Sequence, residues 1–210
     1  MNTKIKSYLP GDKPNNKIIE EIIRVDHSGE YGAKKIYAGQ IAATKHLKAI
    51  NKIFNKTNNY DELLKILKEM YGGEVLHYEY FEDLMNKTNT RPSFLLPVWS
   101  LLGFISGYVT GIAGQRTAMT LTVGIEDIIS NHYNTQLKDV QNIICDQTTN
   151  LVEDPLLNNL YDKIKQFMYD ELEHLNTGID LQAQEMCGHF CFNSLVKIAS
   201  KSAISIAKNI

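Results

Sequence analysis

The sequence predicts an all-α protein: a bundle of four long helices, interrupted in the middle by an apolar crossover segment and followed by one further amphipathic helix. Three observations carry this. The five prolines, at 10, 14, 92, 97 and 155, leave long proline-free blocks, and proline is what a helix interior excludes. Within those blocks apolar residues return at helical spacing, and no stretch alternates as a strand would. With 210 residues, 43% of them hydrophobic and 22% charged, the chain can bury a core as one domain, and collagen-like or disordered classes are excluded.

Taken in order, residues 1–17 form an N-terminal tail with Lys4, Lys6, Lys13 and Lys17 but neither Arg nor an apolar run. No secretory signal or transit peptide is therefore expected. A single domain is expected from 18 to 210. Ile18, Ile19, Ile22, Ile23 and Val25, then Ile36, Tyr37 and Ile41, then Leu47, Ile50 and Ile53 trace a first helix over 16–54, with a break at Asn58-Asn59. Asp61 is a candidate N-cap for the second, whose inner face carries Leu63, Leu64, Ile66, Leu67 and Met70 and whose end falls near Lys87. The apolar segment 92–115 follows, then helices over 118–144 and 156–184, and a last amphipathic stretch from Leu195 to Ile206.

Charge excludes one class of partner. With 22 basic against 24 acidic residues the net charge is -2, which offers no excess of cations for a nucleic-acid backbone. Cys145, Cys187 and Cys191 are too few for a disulfide framework and lack zinc-site spacing, so reduced thiols are expected.

The chemistry-bearing residues sit on the four long helices. Glu74-Val75-Leu76-His77 on the second and Glu171-Leu172-Glu173-His174 on the fourth are both Glu-x-x-His. Three residues apart on a helix is one turn along one face, so a carboxylate and an imidazole can meet at one ion. Each motif is preceded by a helix bearing another glutamate, Glu30 at 44 residues before Glu74 and Glu126 at 45 before Glu171. Tyr37 and Tyr133 each follow that glutamate by seven residues, two turns along the same face. The chain reads as a degenerate duplication of a helix pair. Glu, Glu-x-x-His, Glu, Glu-x-x-His on four helices is the ligand set of ferritin-like di-iron or di-manganese carboxylate bundles. Four carboxylates neutralise two divalent ions, and oxygen donors with one imidazole per ion suit iron or manganese better than zinc or copper.

Around these ligands, Asp26 and Asp170 are candidates to accept the second ring proton of a ligating histidine. Tyr133 and Tyr37 are candidates for the edge of the site, and His27 for core or outer shell. The segment 92–115 carries no charge between Arg91 and Arg116, and Gly103, Gly107 and Gly111 form a small-residue stripe that admits another helix or a flat ligand. Its length alone suggests a membrane span, Pro97 and the glycines argue against one, and a membrane-surface or lipid-binding element competes with plain bundle packing. After Glu185 no acid occurs, while Lys197, Lys201 and Lys208 flank Leu195, Val196, Ile198, Ile204 and Ile206. Such a helix suits an anionic bilayer surface, with bundle packing the alternative.

Five blocks, RVDHSGEYGAKKIYAGQ at 24–40, EVLH at 74–77, RPSFLLPVWSLLGF at 91–104, VGIEDIISNHYN at 123–134 and DELEHLNTGID at 170–180, closely resemble the demethoxyubiquinone hydroxylases of ubiquinone biosynthesis, the Coq7 family. The resemblance implies a membrane-associated di-iron monooxygenase, with two iron ions per chain and dioxygen as co-substrate. Its reaction would hydroxylate the ring of a polyprenylated demethoxyubiquinone or demethoxyubiquinol. Carried over by position, Glu30, Glu74, His77, Glu126, Glu171 and His174 would hold the iron. It also implies a peripheral location on an inner membrane, bacterial on the cytoplasmic side given the short tail, or mitochondrial on the matrix side, near other ubiquinone-biosynthesis proteins. No G-x-G-x-x-G fingerprint or iron–sulfur cysteine set is present, so electrons would come from an external donor or the substrate quinol. The residues alone leave two alternatives open, a ferroxidase or peroxidase of ferritin or rubrerythrin type and a non-catalytic quinone- or lipid-binding bundle.

Overall fold

The computed structural model describes residues 4–5, 17–53, 60–148 and 152–209, and six α-helices build these described residues. They are α1 (Lys17–Ile53), α2 (Tyr60–Thr88), α3 (Leu96–Ala113), α4 (Gln115–Thr148), α5 (Pro155–Asp180) and α6 (His189–Asn209). The fold is all-α and consistent with the expected ferritin-like bundle. α1 pairs with α2 and α4 with α5; α3 lies along α1 and touches α4, while α6 lies along α4 and touches α1. One pairing was not foreseen: Lys4–Ile5 and Val152–Glu153 form a two-residue parallel ladder, β1 and β2. The Asn58-Asn59 break lies outside the described residues.

Local chemistry sets the boundaries. Gly114 at φ 118° is the whole link between α3 and α4, a backbone state that L side chains avoid. α4 therefore starts at Gln115, before the expected 118. Asp154 caps α5 by accepting from the Leu156 N–H at 3.1 Å, and Pro155 takes the first helical position, where its missing donor costs nothing. α5 stops at Asp180 rather than 184 because Gln182 turns left-handed at φ 66° and a 3-10 turn, Ala183–Glu185, follows. Asp61 is not the cap of α2. It lies inside the first turn, which begins at Tyr60, and its carboxylate holds Lys48 of α1.

The core forms two apolar layers. One gathers Ile19, Ile22 and Ile23 of α1 with Phe81 and Leu84 of α2, Leu137 and Val140 of α4, and Leu160, Ile164 and Phe167 of α5. The other gathers Tyr37 with Leu63, Leu67 and Met70 of α2, and Met119 and Val123 of α4. Three residues of the expected apolar trace depart from it: Ile18, Ile50 and Ile53 are exposed, because they lie at the ends of a 37-residue helix that outreaches its partners.

The crossover resolves the reading of its glycine stripe. A Cβ on Gly107 would stand 2.0 Å from the Ile36 carbonyl oxygen, and one on Gly39 would stand 2.3 Å from that of Phe104. The stripe is thus occupied by α1, backbone against backbone, and not by a ligand. The opposite side of α3 is apolar and uncovered, with Leu101 62% and Val109 59% exposed. Among the described residues α3 is the one helix long and apolar enough to cross a membrane, and 22% of it is buried. α6 is amphipathic as expected but starts at His189, well before Leu195; Val196 and Ala207 face the bundle while Leu195, Ile198 and Ile206 face outward. Two of its lysines are committed, Lys197 to Asp127 at 2.7 Å and Lys208 to Glu21 at 3.1 Å. That corrects the expectation of three cations available to a bilayer.

Candidate metal centre

Between the two apolar layers lies a polar one. Glu30 of α1, Glu74 and His77 of α2, Glu126 of α4, and Glu171 and His174 of α5 all point into it and are buried. Helical spacing explains the pairing within a motif, and the packing of α1–α2 on α4–α5 brings the two copies face to face. The six residues form two groups sharing Glu74 and Glu171, namely Glu30, Glu74, His77 and Glu171, and Glu74, Glu126, Glu171 and His174. In each group one ligand atom per residue lies within 4.8 Å of every other.

Among the described residues, two imidazoles are the basic groups that face these carboxylates. His77 Nδ1 is 3.0 Å from Glu171 Oε1 and 3.5 Å from Glu30 Oε2. His174 Nδ1 is 3.1 Å from Glu171 Oε2 and 3.2 Å from Glu74 Oε1. Burial and the neighbouring Glu171 push Glu74 and Glu126 well above the usual carboxylate range. Burial acts the same way on Glu171, but the adjacent His174 and His77 rings overcome it and hold Glu171 down at about 2. Burial lowers His77, yet Glu171 and Glu30 outweigh it and push the ring up to about 12.

Two tyrosines cross between the halves. Tyr37 of α1 donates to Glu126 Oε1 of α4 at 2.6 Å, and Tyr133 of α4 donates to Glu30 Oε1 of α1. Each glutamate keeps its other oxygen unpaired. Glu30 Oε2, both oxygens of Glu74, Glu126 Oε2, Glu171 Oε1 and His77 Nδ1 are buried without a hydrogen bond, and orphaned buried acceptors in such number are costly unless a cation completes them. The donor set, four carboxylates and two imidazoles in two four-residue groups, fits two divalent ions of the iron or manganese type.

The remaining candidates divide. Asp170 Oδ2 is 3.1 Å from His77 Nε2, where it can accept the ring proton and leave Nδ1 facing the centre. Asp26 does not reach a ligating histidine. Its Oδ1 accepts from Gln136 Nε2 at 2.7 Å and stands 3.8 Å from His132. His27 turns outward to Glu82 at 2.6 Å. Sequence reasoning missed two contacts: Phe167, whose ring centroid lies 4.0 Å from that of His77, and Gly73, which lies beneath His174. The glycine was visible in Gly72-Gly73-Glu74, but its meaning depends on the facing helix.

The chain is 34% identical over 206 residues to the NADPH-dependent 3-demethoxyubiquinone 3-hydroxylase, mitochondrial, of Dictyostelium discoideum, covering 98% of this chain and 84% of that protein. It is 32% identical to the human protein of the same name, covering 95% of this chain and 81% of the other. The 3-demethoxyubiquinol 3-hydroxylase of Rhodospirillum rubrum is 30% identical over 96% of this chain and 83% of its own length. The family described as ubiquinone biosynthesis protein COQ7 matches residues 17–207. With that match over nearly the whole chain, this protein belongs to the COQ7 family of ubiquinone biosynthesis proteins.

Proposed function

We propose that the chain is an iron-dependent monooxygenase that hydroxylates the ring of a polyprenylated demethoxyubiquinone or demethoxyubiquinol, with two iron ions bound by Glu30, Glu74, His77, Glu126, Glu171 and His174. The observation that carries the reading is the buried carboxylate–histidine layer, duplicated across the α1–α2 and α4–α5 pairs and closed above and below by apolar side chains. Bound iron would supply the dioxygen chemistry, placing one oxygen atom on the ring while the other leaves as water. The protein's own part is positional. Tyr37 and Tyr133 orient the two carboxylates that lie outside the motifs, Asp170 holds the His77 ring proton at Nε2, and the apolar layers exclude water.

The uncovered apolar face of α3 and the outward residues of α6 support docking on a membrane surface, peripheral to an inner membrane where a long-tailed substrate resides. Names carried by eukaryotic relatives include "mitochondrial", and a bacterial relative exists; either setting serves this reading, as do neighbouring ubiquinone-biosynthesis proteins. Relatives are named for NADPH dependence or for a quinol substrate, so electrons come from an external donor or from the quinol.

The test combines iron counting, mass spectrometry of co-purified lipid and an assay with isotopic dioxygen. Two irons per chain, bound quinone and one labelled oxygen in the ring are expected. Peroxide turnover or iron mineral without ring hydroxylation would favour a ferritin- or rubrerythrin-type activity. Quinone bound without iron would favour a carrier.

A further inference from the structure

The duplication that places the ligands symmetrically is broken behind one of the histidines. The residues that immediately precede the motif glutamates, Gly73 before Glu74 and Asp170 before Glu171, each face the histidine of the opposite motif. Asp170 lies behind His77, with its carboxylate 3.1 Å from Nε2. Gly73 lies behind His174, where a Cβ would stand 3.3 Å from both Cε1 and Nε2. No side chain among the described residues accepts a hydrogen bond from His174 Nε2. The His174 side chain is 11% exposed against 2% for His77, and its ring is steadied by the edge of Tyr37 at 5.9 Å.

We infer that the two halves of the centre are inequivalent, and that the Asp170-braced half (Glu30, Glu74, His77, Glu171) takes the first ion while the half over Gly73 (Glu74, Glu126, Glu171, His174) takes the second, more exchangeable one. The inference rests on the two-ion reading above. A carboxylate on the distal nitrogen fixes the tautomer and ring angle and raises ligand basicity, and loss of such a partner costs about 10–100-fold in metal affinity. His77 has that partner, whereas His174 has a glycine in its place.

Anaerobic titration of the full-length apo protein with Fe(II), followed calorimetrically, tests this. Mutual repulsion separates the two steps in any two-ion centre, so the variants decide. Asp170→Ala is expected to weaken the first step by about 10–100-fold and leave the second unchanged, with Asp170→Asn restoring part of the loss because its amide oxygen still accepts. Asp170 is 39% exposed, so the replacement does not threaten the fold, which circular dichroism checks. Gly73→Asp is expected to tighten the second step about tenfold relative to Gly73→Ala, which controls for the added Cβ. His174→Ala should keep the tight step and His77→Ala should lose it. If Asp170→Ala weakens both steps equally, or His174→Ala removes the tight step, the inference is overturned while the two-ion reading stands. Fewer than two ions bound to the unaltered chain would overturn that reading and this inference with it.

Discussion

Tyr37 and Glu126 sit on different helices, α1 and α4, and hydrogen-bond at 2.6 Å in the buried centre of the bundle. The symmetry-related pair is Tyr133 and Glu30. Each tyrosine thus belongs to the opposite half's glutamate and not to the one seven residues before it, and the two halves are tied together through Glu30 and Glu126.

Replacing either tyrosine with Phe removes the donor and leaves a carboxylate oxygen buried and unpaired. Tyr37→Phe is expected to destabilise the apo protein by about 1–3 kcal/mol, read from chemical unfolding. Tyr133→Phe should act similarly, and both should still bind two irons, since neither supplies a ligand atom.

Glu126→Ala and His174→Ala, both in the half that shares Glu74 and Glu171 with the other, should lose the second ion and keep the first, while the circular dichroism spectrum keeps its helical form. The apo protein should respond differently to Glu126→Gln. Burial together with Glu171 and Glu74 disfavours the Glu126 charge, so the amide relieves repulsion and keeps a partner for Tyr37. The apo Tm should rise by roughly 2–4 °C, the shift that about 1 kcal/mol produces in a domain of this size.

Apo stability should fall as pH rises above 6.5. His77 is pushed up to about 12 from the ordinary histidine value of 6.5, so its contribution is complete below 6.5 and is lost progressively toward 12. Glu74 and Glu126, raised from 4.5, act with the same sign, since their neutral forms suit the fold. His132 has the opposite sign. Burial and Lys208 hold it at about 4, so it costs stability only as pH drops below 6.5. Thermal melts between pH 6.5 and 9 isolate the first effect, and iron should reverse the trend because it replaces the displaced protons.

Leu101→Glu places a charge on the uncovered face of α3, where the residue is 62% exposed, so the protein should fold and bind iron. Its liposome binding should drop, and turnover of a long-tailed substrate should fall far more than that of a short-tailed analogue. Salt should weaken vesicle binding only modestly, because Lys197 and Lys208 are held by Asp127 and Glu21, leaving Lys201 as the free lysine of α6 among the described residues. Unchanged vesicle binding and normal long-tail turnover by Leu101→Glu would count against docking through α3.

Two glycine substitutions should have opposite signs. Gly107→Ala drives a methyl into the Ile36 backbone, which cannot yield locally, and should destabilise by about 1–3 kcal/mol. Gly72→Ala meets nothing within 4 Å and should stabilise α2 by about 0.8–1 kcal/mol through helix propensity. Denaturant midpoints compare them.

The sequence by itself determined the helical class, the four long helices and the candidate ligand types, because helical spacing is local: a glutamate and a histidine three residues apart share a face whatever surrounds them. The repeat of Glu, Tyr and Glu-x-x-His also marked which residues correspond between halves. Facing relations were decided only by the tertiary structure. Asp26 lies one turn before Glu30 and Asp170 adjoins Glu171, and either could have faced a histidine, yet packing turns Asp170 to His77 and Asp26 to Gln136. Gly107 read equally well as a ligand slot or a helix contact until α1 filled it. Lys197 and Lys208 read as free cations until α4 and α1 supplied acids. Such contacts join residues far apart in the chain, and which side chain meets which depends on the rotation and offset of packed helices, a property no short window of sequence contains.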